Sequence, residues 1–349
     1  MTGPAKVLVV GPSWVGDMVM AQALYKLLRR EDPQVEIHVV APPWSLPVLE
    51  RMPEVARGLE LAVGHGEIGL GRRATLARQL RAERYTRAIV LPRSAKAALV
   101  PWLARIPLRT GFRGEWRYGL LNDVRTLDAR LDQTVKRFVA LGLPRDAAVP
   151  AVLPAALQPQ LCSDSRNLDR LRATHGLKAG GRFAALMPGA EYGPAKRWPA
   201  AHFGALAAAL ASADADVVVL GSAKERAIGD EVVARAANAR VRNLCGATSL
   251  ADVVDLLAAA DVAVSNDSGL LHVAAAAGAP VVAIYGSSSP KFTPPLTAAA
   301  AVVSLEVECS PCFARECPLK HLKCLNELDP ATVLRAVDTL RAGRRPEGR

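Results

Sequence analysis

The sequence predicts an α/β protein of two Rossmann-like domains whose parallel sheets face a central cleft. Three observations carry that prediction. Short apolar runs alternate with segments of helical periodicity, which implies parallel strands joined by right-handed crossovers. The pattern occurs twice, on either side of a proline-rich stretch at 144–159. Every polar, glycine-containing loop follows the carboxyl end of a predicted strand, where open sheets of this kind bind ligands.

In the first half, a strand is expected at Lys6–Val10, a loop at Gly11–Gly16 and a helix at Asp17–Arg30. A strand at Val35–Val40 and a helix at Ser45–Arg51 follow, then a basic helix at Arg72–Glu83 and a strand at Arg87–Leu91. Arg109–Arg125 mixes arginine, glycine and aromatics and reads as a loop with short helices. A helix is expected at Asp132–Leu141. Prolines 144, 150, 154 and 159 then mark a linker, and a polar helix at Ser163–His175 ends at Gly176. In the second half, strands are expected at Phe183–Met187, Val217–Leu220, Val262–Val264 and Val281–Ile284. Helices alternate with them at 201–211, 224–237, 250–259 and 270–277. The domains are accordingly drawn at 1–175 and 176–329, with a C-terminal helix (330–349) that crosses back to the first.

At 349 residues the chain has room for two ordinary domains, and half of it is hydrophobic. The small, charged tail 342–349 is expected to be disordered. No secretory signal and no apolar run of bilayer length is visible, so a cytoplasmic protein is expected. The net charge of +11 is lopsided: residues 1–175 carry +10 of it. Arginines 72, 73, 78, 81, 84, 87 and 93 and Lys96 are either a solvated face or a surface for an acidic partner, such as phosphorylated lipid or an anionic leaflet. Nucleic acid fits less well, because no binding motif or aromatic interleaving accompanies the charge.

The most informative segment is Ser265-Asn266-Asp267-Ser268-Gly269-Leu270-Leu271-His272. A strand stops at small polar residues and a helix starts, so free N–H groups and the positive helix end face a common point, which suits a phosphate. Ser268 and His272 share a face of that helix. Pro188–Pro199 follows the first strand of the second half. Gly189 permits close backbone approach there, and Lys196 and Arg197 supply charge for a diphosphate; a solvent loop is the plainer alternative. Glu225, in Gly221–Glu225, could hold ribose hydroxyls or simply start a helix. Asp17 is a candidate general base or a helix cap. The loop Gly11–Asp17 lacks the dinucleotide fingerprint, which disfavours NAD. Cys309, Cys312, Cys317 and Cys324 have the composition of a structural zinc site, with reduced buried thiols or disulfides as the alternatives. Protease, esterase and Walker motifs are absent.

Five stretches, Gly11–Met18, Tyr118–Arg125, Pro188–Pro199, Asn266–His272 and Tyr285–Pro290, span nearly the whole chain. Through them it resembles the lipopolysaccharide heptosyltransferases of glycosyltransferase family 9, in their type II branch. The resemblance implies the GT-B fold and an inverting, metal-independent transfer. The donor would be ADP-heptose, carrying L-glycero-D-manno-heptose, and the acceptor the first heptose of the phosphorylated Kdo–lipid A core. It casts Asp17 as the base, Lys196 as the group that neutralises the leaving diphosphate, and Asp267 as a ligand of the donor sugar. Ser268 and Gly269 N–H groups would meet phosphate, with His272 behind them, while Gly189, Arg197 and Glu225 complete the donor side. Arg93, Lys96, Arg113 and Arg117 would meet the acceptor at the inner leaflet of the cytoplasmic membrane. No cofactor is implied for catalysis. A relative with another donor or acceptor, a sugar-nucleotide epimerase and a non-catalytic nucleotide-sugar binder remain as alternatives.

Overall fold

A computed structural model describes residues 4–64, 67–212 and 215–343. The chain divides into two compact units, 1–159 and 160–349. The boundary falls at the end of the proline-rich stretch, ahead of the division expected after residue 175.

The first unit opens with β1 (Lys6–Val10), α1 (Val15–Glu31), β2 (Glu36–Ala41), α2 (Leu46–Leu49) and β3 (Val55–Glu60). It continues with α3 (Leu70–Leu80), β4 (Arg87–Val90), α4 (Ala95–Leu103), β5 (Leu108–Phe112), β6 (Asp123–Arg125) and α5 (Thr134–Gly142). Its six strands are parallel in the order β3-β2-β1-β4-β5-β6. The central strands β1 and β4 are almost wholly apolar, as strands covered on both faces must be. α1 is buried along most of its length and packs on α5, where a side chain on Gly142 would collide with Leu24 and Leu27.

Four elements here differ from expectation, the first being β3, in a stretch where no strand was expected. β5 and β6 occupy a segment expected to be loop with short helices. They are short, and arginines secure them: Arg109 donates to the carbonyls of Leu120 and Ile106, and Arg125 to those of Ala140 and Leu143. α4 was not expected either, and Pro101 lies inside it.

The second unit begins with α6 (Ser165–Thr174), β7 (Arg182–Met187), α7 (Ala200–Leu210), β8 (Ala215–Val219), α8 (Arg226–Ala236) and β9 (Val241–Asn243). α9 (Leu250–Ala259), β10 (Val262–Asn266), α10 (Gly269–Ala276), β11 (Val281–Tyr285), β12 (Ala300–Ser304), α11 (Lys323–Asn326) and α12 (Pro330–Ala342) complete it. Its sheet is also parallel, in the order β12-β11-β10-β7-β8-β9. Counted from its own first strand this is the same order as in the first unit, the doubly wound 3-2-1-4-5-6 arrangement. Strands β9 and β12 at its edges were not anticipated.

α6 belongs to the second unit because α9 holds it there. Asp255 accepts from the Asp164 N–H at 2.7 Å and from the Asn167 amide at 2.7 Å, and Leu161 donates its N–H to Ala276. α12 is likewise part of this unit: Val333 and Val337 are fully buried in its core, and the helix lies on α7 and β12. Its described residues thus pack on the second unit's own core, where the sequence reading expected a helix crossing back to the first domain. Residues 344–349 of the expected disordered tail lie outside the described residues. Among those described, no helix is long and apolar enough to cross a membrane.

Candidate active site

In each sheet the strand order reverses direction between two neighbours, β1 and β4 in the first and β7 and β10 in the second. At such switch points the following loops diverge to opposite faces and leave a crevice at the carboxyl ends. Asp17 follows β1, Arg93 and Lys96 follow β4, Lys196 follows β7 and Asp267 follows β10.

In the second unit, the loop after β7 carries Lys196 and the turn after β10 carries Asp267. The Lys196 ammonium donates to Asp267 Oδ2 at 2.5 Å, with Asp267 almost wholly buried. Asn266 fixes the two loops together. Its Oδ1 accepts from the Trp198 N–H at 3.0 Å, and its amide donates to the Pro188 carbonyl at 2.7 Å. Tyr192 lies beneath Lys196, 5.0 Å from ammonium to ring centre. The role of Tyr192 was not foreseen; its only signal was its place in the glycine-bearing loop. α10 starts directly after Asp267. Its N-cap, Ser268, makes no side-chain cap, which leaves the first N–H groups of the helix for another acceptor. Ser268 Oγ stands 3.3 Å from Ser265 Oγ.

His272 is buried one turn into α10, and its Nδ1 has no hydrogen-bond partner. Burial depresses its pKa below the ordinary range, with Asp267 pulling the other way and Lys196 reinforcing the depression. Burial, and then the Asp267 charge, push the Tyr285 phenol up; its OH donates to the Thr293 carbonyl at 2.6 Å. After β11, the hydroxyls of Ser287 and Ser288 are buried without partners. Buried polar atoms are normally satisfied, so three orphans beside one ion pair mark a place where a polar ligand fits.

Glu225 closes the capping box that starts α8, accepting from the Ser222 N–H at 2.7 Å and Oγ at 2.9 Å. Its other oxygen fills the space a side chain on Gly189 would need, which ties the loops after β7 and β8 together. Of the two alternatives for Glu225, the helix start is the one these bonds describe. Arg197 is exposed and donates to the Ala190 carbonyl at 3.1 and 3.2 Å, bracing its own loop. Cys309, Cys312, Cys317 and Cys324 are free thiols, and backbone N–H groups, led by that of Leu322, hold the Cys317 thiol below its ordinary range.

In the first unit, Asp17 is half-buried in the first turn of α1. The N-cap is Trp14, so the capping alternative for Asp17 is set aside, although a carboxylate there still suits the helix dipole. Arg93 and Arg113 are exposed, and Arg93 Nε donates to the Arg113 carbonyl at 3.3 Å. Lys96 reaches the Glu67 carbonyl at 3.2 Å. Arg117 departs from expectation. It is 2% exposed and donates to the carbonyls of Pro92, at 2.6 Å, and Phe112, at 3.1 Å from Nε. Desolvation, and then Arg93, lower its pKa to about 10. Its guanidinium holds the loops after β4 and β5 instead of facing solvent. Trp116, beside it, is 91% exposed.

Two doubly wound sheets of one strand order define a GT-B-like α/β protein. The sequence profile of glycosyltransferase family 9 (heptosyltransferase) matches residues 73–323. The chain is 48% identical over 309 residues to lipopolysaccharide heptosyltransferase 2 of Escherichia coli K12. It is 46% identical over 306 residues to that of Salmonella typhimurium. Each alignment covers 86% of this chain and 88% of the relative. The solved structure of E. coli ADP-heptose LPS heptosyltransferase II superposes with a TM-score of 0.85 at 41% identity, covering 97% of this chain and 99% of that one. The chain belongs to glycosyltransferase family 9, and it is a glycosyltransferase.

Proposed function

We propose that this enzyme transfers heptose from ADP-heptose to the first heptose of the lipopolysaccharide inner core. The relatives' identity supports the reaction, and the Lys196–Asp267 pair, set among unpartnered buried polar groups at a switch point, is the observation that carries the donor site. The diphosphate would lie against Lys196 and the N-terminal N–H groups of α10, and Asp267 would take donor sugar hydroxyls. Gly189 and Glu225 would border the nucleoside end, with Arg197 bracing the loop and His272 supporting Asp267 from behind.

The chemistry is an inverting displacement. The acceptor hydroxyl attacks the anomeric carbon, Asp17 takes its proton, and the bond from that carbon to the phosphate oxygen breaks as ADP leaves. Lys196 and the helix dipole stabilise the charge growing on the diphosphate, work that a divalent ion does elsewhere. The cysteines take no part in these steps. Arg93, Lys96 and Arg113 would meet the acceptor phosphates, and exposed Trp116 and Tyr118 would reach the inner leaflet from the cytoplasmic side.

The test incubates the protein with ADP-heptose and monoheptosylated Kdo–lipid A in chelator and follows the acceptor mass. A gain of one heptose is expected. No gain, with ADP-heptose still bound, would point to another acceptor. Asp17→Asn is expected to keep ADP affinity and to lose transfer by 10²-fold or more, within the roughly 10²–10⁴ range of general-base contributions. Full turnover by that variant would remove Asp17 from the role.

A further inference from the structure

The donor site leaves one chemically rich cluster unused. Cys309, Cys312, Cys317 and Cys324 fall within sixteen residues at spacings of two, four and six, and all four are free thiols. With Ser287, Ala195 and His321 they line one cavity of about 20 Å³. The segment that carries them is tightly turned. Phe313, Lys320 and Leu322 adopt left-handed backbone, which non-glycine residues take where surroundings impose it. Lys320 donates its N–H to the Cys317 carbonyl at 3.0 Å, which closes a tight turn directly after that thiol. Four thiols around one small space are the donor set of a soft, tetrahedral metal ion.

The residues between Cys312 and Cys317 also hold the Lys196 loop. Phe313 accepts from the Tyr192 hydroxyl at 2.8 Å and donates its N–H to Ser287 at 2.6 Å. Arg315 donates to the Tyr192 carbonyl at 2.7 Å, and its own carbonyl accepts from Ala195 at 3.1 Å. A side chain on Gly193 would sit 2.4 Å from that carbonyl, so the two loops touch backbone to backbone. Tyr192 is then the floor under Lys196.

We propose that the four thiols bind one zinc-class ion, and that this ion fixes segment 313–316 and through it the Lys196 loop. Among the described residues no three such side chains yet stand in metal-holding geometry, so binding draws the sulfurs inward. Each thiol gives its proton to solvent as a sulfur–metal bond forms, with no change of oxidation state. The metal site stands on the cysteines alone; its effect on ADP rests on the donor-site reading given above.

The experiment measures metal content by elemental analysis in protein purified from medium holding zinc and iron, with anaerobic reconstitution as the second arm. About one ion per chain is expected. Cobalt replacement should give the visible bands of a tetrahedral thiolate site, and four thiols should resist a thiol reagent until the ion is removed. Iron at the same stoichiometry, visible by its colour, supports the site equally and settles the metal. Cys309→Ser should lose the ion, while Cys162→Ser, outside the cluster, should keep it. No stoichiometric metal in either arm, with all four thiols reacting freely, overturns the proposal. Stripping the ion should weaken ADP binding about tenfold, within the usual 5–150-fold range of site-to-site coupling. Unchanged ADP affinity on confirmed stripping overturns the loop coupling alone. Absence of ADP binding in the fully loaded protein counts against the donor site instead.

Discussion

Arg117 is buried and Lys196 largely so, each at the carboxyl edge of a sheet, yet they are answered differently. Arg117 is answered by carbonyl dipoles, those of Pro92 and Phe112, and its fork of donors is used up inside the first unit. Lys196 is answered by one carboxylate, Asp267, with an uncapped helix start and orphan hydroxyls nearby. The first arrangement is closed and structural. The second keeps acceptor-hungry groups around the ion pair, as a site for an anion requires. Burial of a cation therefore does not by itself identify a site; what distinguishes the two is whether the neighbouring polar groups are already satisfied.

Lys196→Met should separate the two residues most sharply. Transfer is expected to fall by roughly 10²–10³-fold, the loss that follows removal of one preorganised stabilising donor. ADP affinity, measured calorimetrically, should fall with it, and unchanged affinity would take Lys196 out of the diphosphate site. The same change leaves Asp267 buried without its partner, so Lys196→Met/Asp267→Asn should recover part of any lost stability.

Arg117→Met is expected to do the reverse. It strands the carbonyls of Pro92 and Phe112 and should cost about 3 kcal/mol of stability in a denaturant titration. ADP binding should be untouched. A variant of native stability with a raised acceptor KM would restore Arg117 to the acceptor side and dissolve the comparison.

The smallest expected effect concerns His272. Its pKa is depressed in the folded protein, so it is neutral there at pH values where the unfolded chain already takes up a proton. The stability it contributes is present above the unfolded value, about 6.5, and is lost as pH falls through the folded value. His272→Asn should flatten the acid slope by up to about 1.4 kcal/mol per pH unit in that window. An unchanged slope would mean that the ring is charged in the native state.

The same contrast explains what was legible in the sequence. Loop positions at strand ends were readable, because apolar runs that end in glycine and small polar residues report a local backbone event. Lys196 and Asp267 were each picked out, but their pairing was not, since 71 residues separate them. The basic surplus of the first half was read as either a solvated face or a surface for an acidic partner. In part it is internal mortar: Arg73, Arg87, Arg109, Arg117 and Arg125 donate to main-chain carbonyls. Composition counts charges and cannot show which way a guanidinium turns. That is also why β5 and β6 were missed, since an arginine-rich strand looks like a loop until its side chains are seen to secure its neighbours. The domain boundary differs because α6 is polar along its sequence, and its bonds to Asp252 and Asp255, far along the chain, help assign it to the second unit.

The two sheets repeat one strand order, and that repetition has an evolutionary consequence. Each half carries a crevice of its own, formed by its own loops on its own core. On the proposed assignment of substrates, changes in the loops after β7 and β10 would alter the nucleotide sugar without disturbing the frame that carries Asp17, and changes after β4 and β5 would alter the other substrate without disturbing Lys196. A lineage with this layout would then exchange one substrate at a time, and a chimaera joined within 144–159 would inherit one specificity from each parent.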